Sequence, residues 1–289
     1  MFSSVTALSG GGFVVAYQSL DLSRMSYGIS AQRYDASGSP VGSEFFINET
    51  ESGSQVDVRL AALDNGGFAA VWSDSGNDGS GYGIFGRRFD SSGTAIDAND
   101  FQVNSAISGT QADAGITGLP DGGFIVTWTS ASASGDTSSY GVAGQRFDAS
   151  GNKIGTEFLV NTTTANQQKY PYVTALDDGD FVVAWGSDLQ AGDNSELGVY
   201  AQRFASPIPF GTTTTTEHTV STVTSSTTGE APFGSDVSFG VGGKTLTVDL
   251  SAHHDGSTND YYGAAEAIAA AINGQASTRC ASVFLIDCN

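Results

Sequence analysis

Asp177-Asp178-Gly179-Asp180-Phe181-Val182-Val183-Ala184-Trp185 decides the fold, because three further versions of it occupy residues 10–17, 64–72 and 121–128. The aromatic that opens the apolar run falls at Phe13, Phe68, Phe124 and Phe181, and subtraction of positions gives steps of 55, 56 and 57 residues. A fixed period of this size signals a repeat architecture. Both alternating sets of side chains in the run are apolar, the pattern of a strand covered on both faces. Its closing aromatics Trp72, Trp128 and Trp185 are therefore expected in the core.

The surrounding segments recur in a constant order. A short apolar run (5–8, 173–176) leads through a Gly/Asp turn into the buried run, and a polar loop of variable length follows. A Tyr-Gly-x-x-x-Gln/Arg-Arg-Phe/Tyr segment comes next at 27–34, 82–89 and 140–147, with a weaker copy at 197–204. Asp-x-Ser-Gly turns at 35–38, 90–93 and 148–151 place Gly where positive φ is needed. Last comes Glu-Phe-x-x-Asn at 44–48 and 157–161, with a divergent copy at 100–104. Each run is short, rich in β-branched and aromatic residues and bounded by turn formers, so each reads as a strand. The prediction is a mainly β fold of four-stranded antiparallel sheets over 1–205, packed face to face as in a propeller; a linear stack is the rival arrangement. The polar Tyr-Gly segment should lie further out than the buried run. The fourth unit lacks its own Glu-Phe-x-x-Asn segment, a place that residues near 217–223 are expected to fill.

After residue 205 the pattern breaks. Residues 206–234 are a Ser/Thr-rich linker or added strand. Residues 235–289 read as a ββα(β) module: a hairpin about Gly242-Gly243, an Ala-rich helix over 262–273 stopped by Gly274, and a final strand near 281–286. Cys280 and Cys288, the only cysteines, are either a disulfide closing a small loop or two free thiols.

With 31 Asp plus Glu against 11 Lys plus Arg, the chain carries a formal charge of −20. Such acidity repels nucleic acid and anionic lipid and favours cations and solubility. No apolar run approaches membrane-helix length, so neither nucleic-acid binding nor membrane insertion is expected. The chain begins in mid-pattern, which suggests a fragment or processed form of something longer.

Two resemblances follow from these motifs. Gly243-Lys244-Thr245-Leu246-Thr247-Val248-Asp249-Leu250, followed by Ala265, Ile268, Ala269, Ile272 and Asn273, resembles the flagellin IN motif, a β-β-α insertion of flagellins and large bacterial surface proteins. The Gly-Gly-Phe-Val-Val-x-Trp and Gln-Arg-Phe-Asp-x-x-Gly repeats are similar to those of very large secreted bacterial proteins. That resemblance implies an extracellular, non-catalytic setting.

Chemistry is harder to find. His218, His253 and His254 have no zinc-ligand spacing, and no Gly-x-Ser-x-Gly elbow occurs. Asp and Glu are so widespread that no pair stands out for glycoside hydrolysis. Hard cations prefer carboxylate and carbonyl oxygens, so Asp74, Asn77, Asp78, Asp188 and Asp193 are candidate Ca2+ ligands; alternatively they form turns. Arg33, Arg88, Arg146 and Arg203 recur once per unit, as structural ties or as ligand contacts. Tyr27, Tyr82 and Tyr140, beside the variable loops, are candidate sugar platforms.

Repetition without a unique polar constellation points to a non-enzymatic extracellular structural or adhesive protein of a bacterial surface or matrix, self-assembling into filaments by strand addition. The alternative is a calcium-dependent, lectin-like propeller whose partners are cell-surface glycans. A secreted hydrolase is the third reading, with no catalytic residues to nominate.

Overall fold

The computed structural model describes residues 3–21, 26–133, 135–136, 139–188, 197–205, 236–241 and 244–249. The expected helix over 262–273, the segment 217–223, Asp193, Cys280 and Cys288 lie outside the described residues.

The first sheet comprises β1 (Ser3–Ala7), β2 (Phe13–Asp21), β3 (Ser26–Tyr34) and β4 (Pro40–Phe46). The second holds β5 (Gln55–Ala62), β6 (Phe68–Ser75), β7 (Tyr82–Phe89) and the two-residue β8 (Phe101–Gln102). The third holds β9 (Gln111–Gly118), β10 (Phe124–Ser130), β11 (Gly141–Phe147) and β12 (Lys153–Leu159). Among the described residues the fourth has β13 (Gln168–Ala175), β14 (Phe181–Asp188) and β15 (Leu197–Phe204). In each sheet the strands pair in sequence order and antiparallel, so every unit is a meander. A separate hairpin pairs β16 (Asp236–Val241) with β17 (Lys244–Asp249).

The arrangement is propeller-like. Thr6 of β1, Leu60 of β5, Ile116 of β9 and Tyr172 of β13 line one central cavity of about 700 Å³, so the first strands stand around a common axis. Their approach is very close. A Cβ on Gly118 would lie 2.3 Å from the carbonyl oxygen of Ala62, so that position requires glycine, and one on Gly115 would lie tightly, 3.0 Å from that of Pro171.

The two-sided apolar strands behave as their pattern predicts. All of β10, and all but the last residue of β6 and β14, is buried. Alternate residues serve opposite interfaces: Phe68, Ala70 and Trp72 pack toward Val14, Ala16 and Ile29 of the first sheet, while Ala69 and Val71 join Phe124, Val126 and Trp128 of the third. The same scheme sets Ile125 and Val142 against Phe181, Val183 and Trp185. Truncating one of these tryptophans costs roughly 3–5 kcal/mol for a fully packed site.

The Tyr-Gly segments form the third strand from the axis, as expected, yet β11 is buried along its whole length. Of its polar residues, Gln145 Oε1 and Arg146 Nε have no hydrogen-bond partner, whereas Gln145 Nε2 donates to the carbonyls of Arg146 and Ile154 and Arg146 pairs with Asp121. Buried polar groups are tolerated when so paired.

The Asn of Glu-Phe-x-x-Asn ties one sheet to the next. Asn48, Asn104 and Asn161 Oδ1 accept the amides of Ile29, Ile84 and Val142 at 2.8, 2.8 and 2.7 Å. Their Nδ2 groups donate to Gln55, Gln111 and Gln168 Oε1, each at 3.2 Å, at the head of the following sheet.

A candidate active site on the inner strands

The residues that begin β5, β9 and β13 align as Gln55-x-Asp57, Gln111-x-Asp113 and Gln168-x-Tyr170. In each case the third residue has a left-handed backbone: φ is 57° at Asp57, 55° at Asp113 and 57° at Tyr170. The cause is a β-bulge. Pairing jumps from Val56↔Ser73 to Arg59↔Val71, so two residues stand opposite Trp72. The same step occurs opposite Trp128 and opposite Trp185. Bulges re-aim side chains and are common beside active sites, and non-glycine residues held at positive φ store strain that persists only when the surroundings enforce it.

The bulges gather charge around the axis. Burial pushes the Asp113 carboxyl above the usual range, and the nearby Asp57 charge adds to this, against the Thr129 hydrogen bond and the positive Arg59 and Lys169. Thr129 Oγ1 also accepts the Tyr170 amide at 3.0 Å, tying the third sheet to the bulge of the fourth. Burial likewise raises Asp57, opposed by Arg59, and its Oδ1 is buried with no hydrogen-bond partner. Tyr170 is raised by burial and by the charge of Asp113. Lys169 Nζ sits 4.3 Å from the centre of the Tyr140 ring. Two coupled carboxylates with raised proton affinity, faced by two cations and an aromatic, form a constellation suited to proton transfer.

Sequence reading missed Asp57, Asp113 and Tyr170. A signal was present: a polar residue two places after each repeated Gln, inside a strand otherwise built for burial.

The other expected site residues are dispersed. Asp74 accepts a hydrogen bond from Asn77, and Asp78 accepts from the Ser80 amide at 3.0 Å. Asp188 is in β14, raised by burial. No group of three or more His, Cys, Asp or Glu is placed to hold a metal among the described residues. Arg88 pairs with Asp97 at 2.6 Å and donates to the Ala149 carbonyl of the next sheet at 3.0 Å; Arg33 donates to the Ser92 carbonyl at 2.6 Å. Arg146 pairs with Asp121, and Arg203 with Asp178 and Asp180. Tyr27 is exposed and lines a cleft with Phe46 and Glu44, Tyr82 is half-buried at the start of β7, and Tyr140 stands over Lys169.

Fold and site together define a propeller with an acid-bearing axis. No protein-family model matches the sequence, and no curated protein matches it. Solved structures do. The chain is similar to the GH93 α-L-arabinofuranosidase of Fusarium graminearum, solved with arabinobiose, at TM-score 0.55 and 12% identity over 86% of this chain and 77% of that one. It is also similar to the α-L-arabinanase of Penicillium chrysogenum complexed with arabinobiose, at TM-score 0.54 and 14% identity over the same shares. The fold is thus shared with enzymes that act on glycans. This corrects the expectation of a non-enzymatic structural or adhesive protein that assembles into filaments. The repetition on which that expectation rested belongs to the scaffold, whereas the two acidic positions sit at bulges that the repeat motifs do not mark.

Proposed function

We propose that this protein is an extracellular glycoside hydrolase acting on an arabinose-containing glycan, with Asp113 and Asp57 as its carboxylate pair. The observation that carries this reading is the meeting of two half-buried carboxylates, with the charge of Asp57 acting on Asp113, at the strained bulges of adjacent inner strands. Support comes from the fold shared with an arabinofuranosidase and an arabinanase, both solved with arabinobiose.

Hydrolysis by two carboxylates needs one that delivers a proton to the departing glycosidic oxygen and one that stays ionised and serves the anomeric carbon. Asp113 suits the first role, because burial and the neighbouring Asp57 charge both favour its protonated form. Asp57 suits the second: burial raises it too, but Arg59 favours its ionised form with no neighbouring carboxylate opposing, and its unpaired Oδ1 is free to accept. Arg59 and Lys169 balance the charge of the pair, and Tyr170 offers an aromatic face to the sugar.

The test is hydrolysis of an aryl α-L-arabinofuranoside and of arabinan by the wild type, Asp113→Asn and Asp57→Asn. Removing a positioned general acid lowers turnover about 10²–10⁴-fold, so loss of that size in a folded Asp113→Asn protein is expected. An inactive wild type across a panel of aryl glycosides would sink the hydrolase reading; full activity in both variants would sink the site.

A further inference from the structure

Every junction between consecutive sheets repeats one set of contacts. A Phe from the fourth strand of one sheet tilts onto a stacked aromatic pair of the next. Phe45 meets Phe89 at 5.8 Å beside the Phe68–Phe89 stack; Phe101 meets Phe124 and Phe147 at 6.2 and 5.5 Å; Phe158 meets Phe181 and Phe204 at 6.5 and 5.5 Å. Two further ties recur at the first two junctions. An Arg of the earlier sheet donates to the Asp-x-Ser-Gly turn of the later one, Arg33 to Ser92 and Arg88 to Ala149. A carboxylate on or just before the fourth strand of the later sheet accepts the amides just past the Asn of the earlier one. Asp100 takes Glu49 and Thr50, and Glu157 takes Ser105 and Ala106.

The outward face of the first sheet carries all three receiving parts. Phe13 and Tyr34 are stacked at 4.9 Å, as in the other pairs. The turn at 35–38 has the same Asp-anchored hydrogen bonds as its counterpart at 90–93. Glu44, exposed on β4, occupies the place of Asp100 and Glu157 and is hydrogen-bonded within its own sheet to Tyr17. Around these parts Val5, whose counterparts in the other units are Leu60, Ile116 and Val173, is 63% exposed, and Phe46 is 70% exposed.

We infer that this face is an acceptor for one further unit of the same repeat, which docks as the described units dock on one another: a Phe against Phe13 and Tyr34, an Arg on the 35–38 turn, and two strand-end amides on Glu44. Continuity with three existing interfaces selects this occupant, since every such face in the molecule receives the unit joined ahead of it. The inference is independent of the hydrolase reading.

The test grafts a copy of residues 56–111 directly before residue 1, which preserves the period, and compares it with the same graft carrying Phe101→Ala in the copy. The expected result is a single thermal transition above that of the parent, slower amide exchange in β2 and β3, and loss of most of the gain in the Phe101→Ala graft. A parent Tm that is unchanged, whether the graft melts separately or stays unfolded, would overturn the inference, as would equal stabilisation by both grafts. Concentration-dependent dimerisation of the parent that Tyr34→Glu abolishes would also overturn it, by assigning the face to a second copy.

Discussion

Asp113 and Asp57 link chemistry to stability. Burial raises both, so the folded protein holds protons that the unfolded chain releases near the ordinary carboxylate range of about 3.9. Their contribution is fully present below that range and is lost as pH rises through the folded values. Asp35, Asp90 and Asp148 run the other way. Hydrogen bonds from Ser37, Ser92 and Asn152 lower them, so their contribution is present above the range and lost as pH falls. Asp113→Asn should therefore lower hydrolysis about 10²–10⁴-fold while raising Tm and flattening its decline as pH rises above about 4. Melting curves above that pH check it, and a steeper decline in the variant would contradict the assigned burial.

At the scale of the element, the Asn–Gln tie and the inner-strand glycines matter most. Asn104 serves Ile84 and Gln111, both buried, so Asn104→Ala leaves at least one buried polar group unpaired and should cost about 1–3 kcal/mol. Chemical denaturation would read this as a lower midpoint with an unchanged slope. Gly118→Val forces a Cβ to 2.3 Å from the Ala62 carbonyl. It should destabilise more than Gly118→Ala and should disturb turnover, because β9 also carries Asp113. Wild-type stability in both variants would show that the inner strands can part without cost. The repeated Glu-Phe-x-x-Asn motif was legible as a strand; that its Asn is an inter-sheet tie was not, because the partner Gln belongs to the next unit.

For the whole molecule, a formal charge of −20 on 289 residues imposes self-repulsion that salt screens. Tm should rise from low ionic strength to about 0.5 M sodium chloride, where the Debye length is only a few Å. A fall in Tm would mean that the arginine ties, Arg88–Asp97 and Arg146–Asp121 among them, outweigh the repulsion.

The period of 55 to 57 residues, the two-sided apolar runs and the turn glycines were enough to determine sheets, strand order and buried tryptophans, because each depends on contacts within one unit or on alternation along one strand. Only the tertiary structure placed Asp57, Asp113 and Tyr170 together, since they belong to three different units and meet through the convergence of the first strands on one axis. The bulges that turn them there lie opposite Trp72, Trp128 and Trp185 on the paired strands. That is a cross-strand effect, for which a linear reading of the chain has no term.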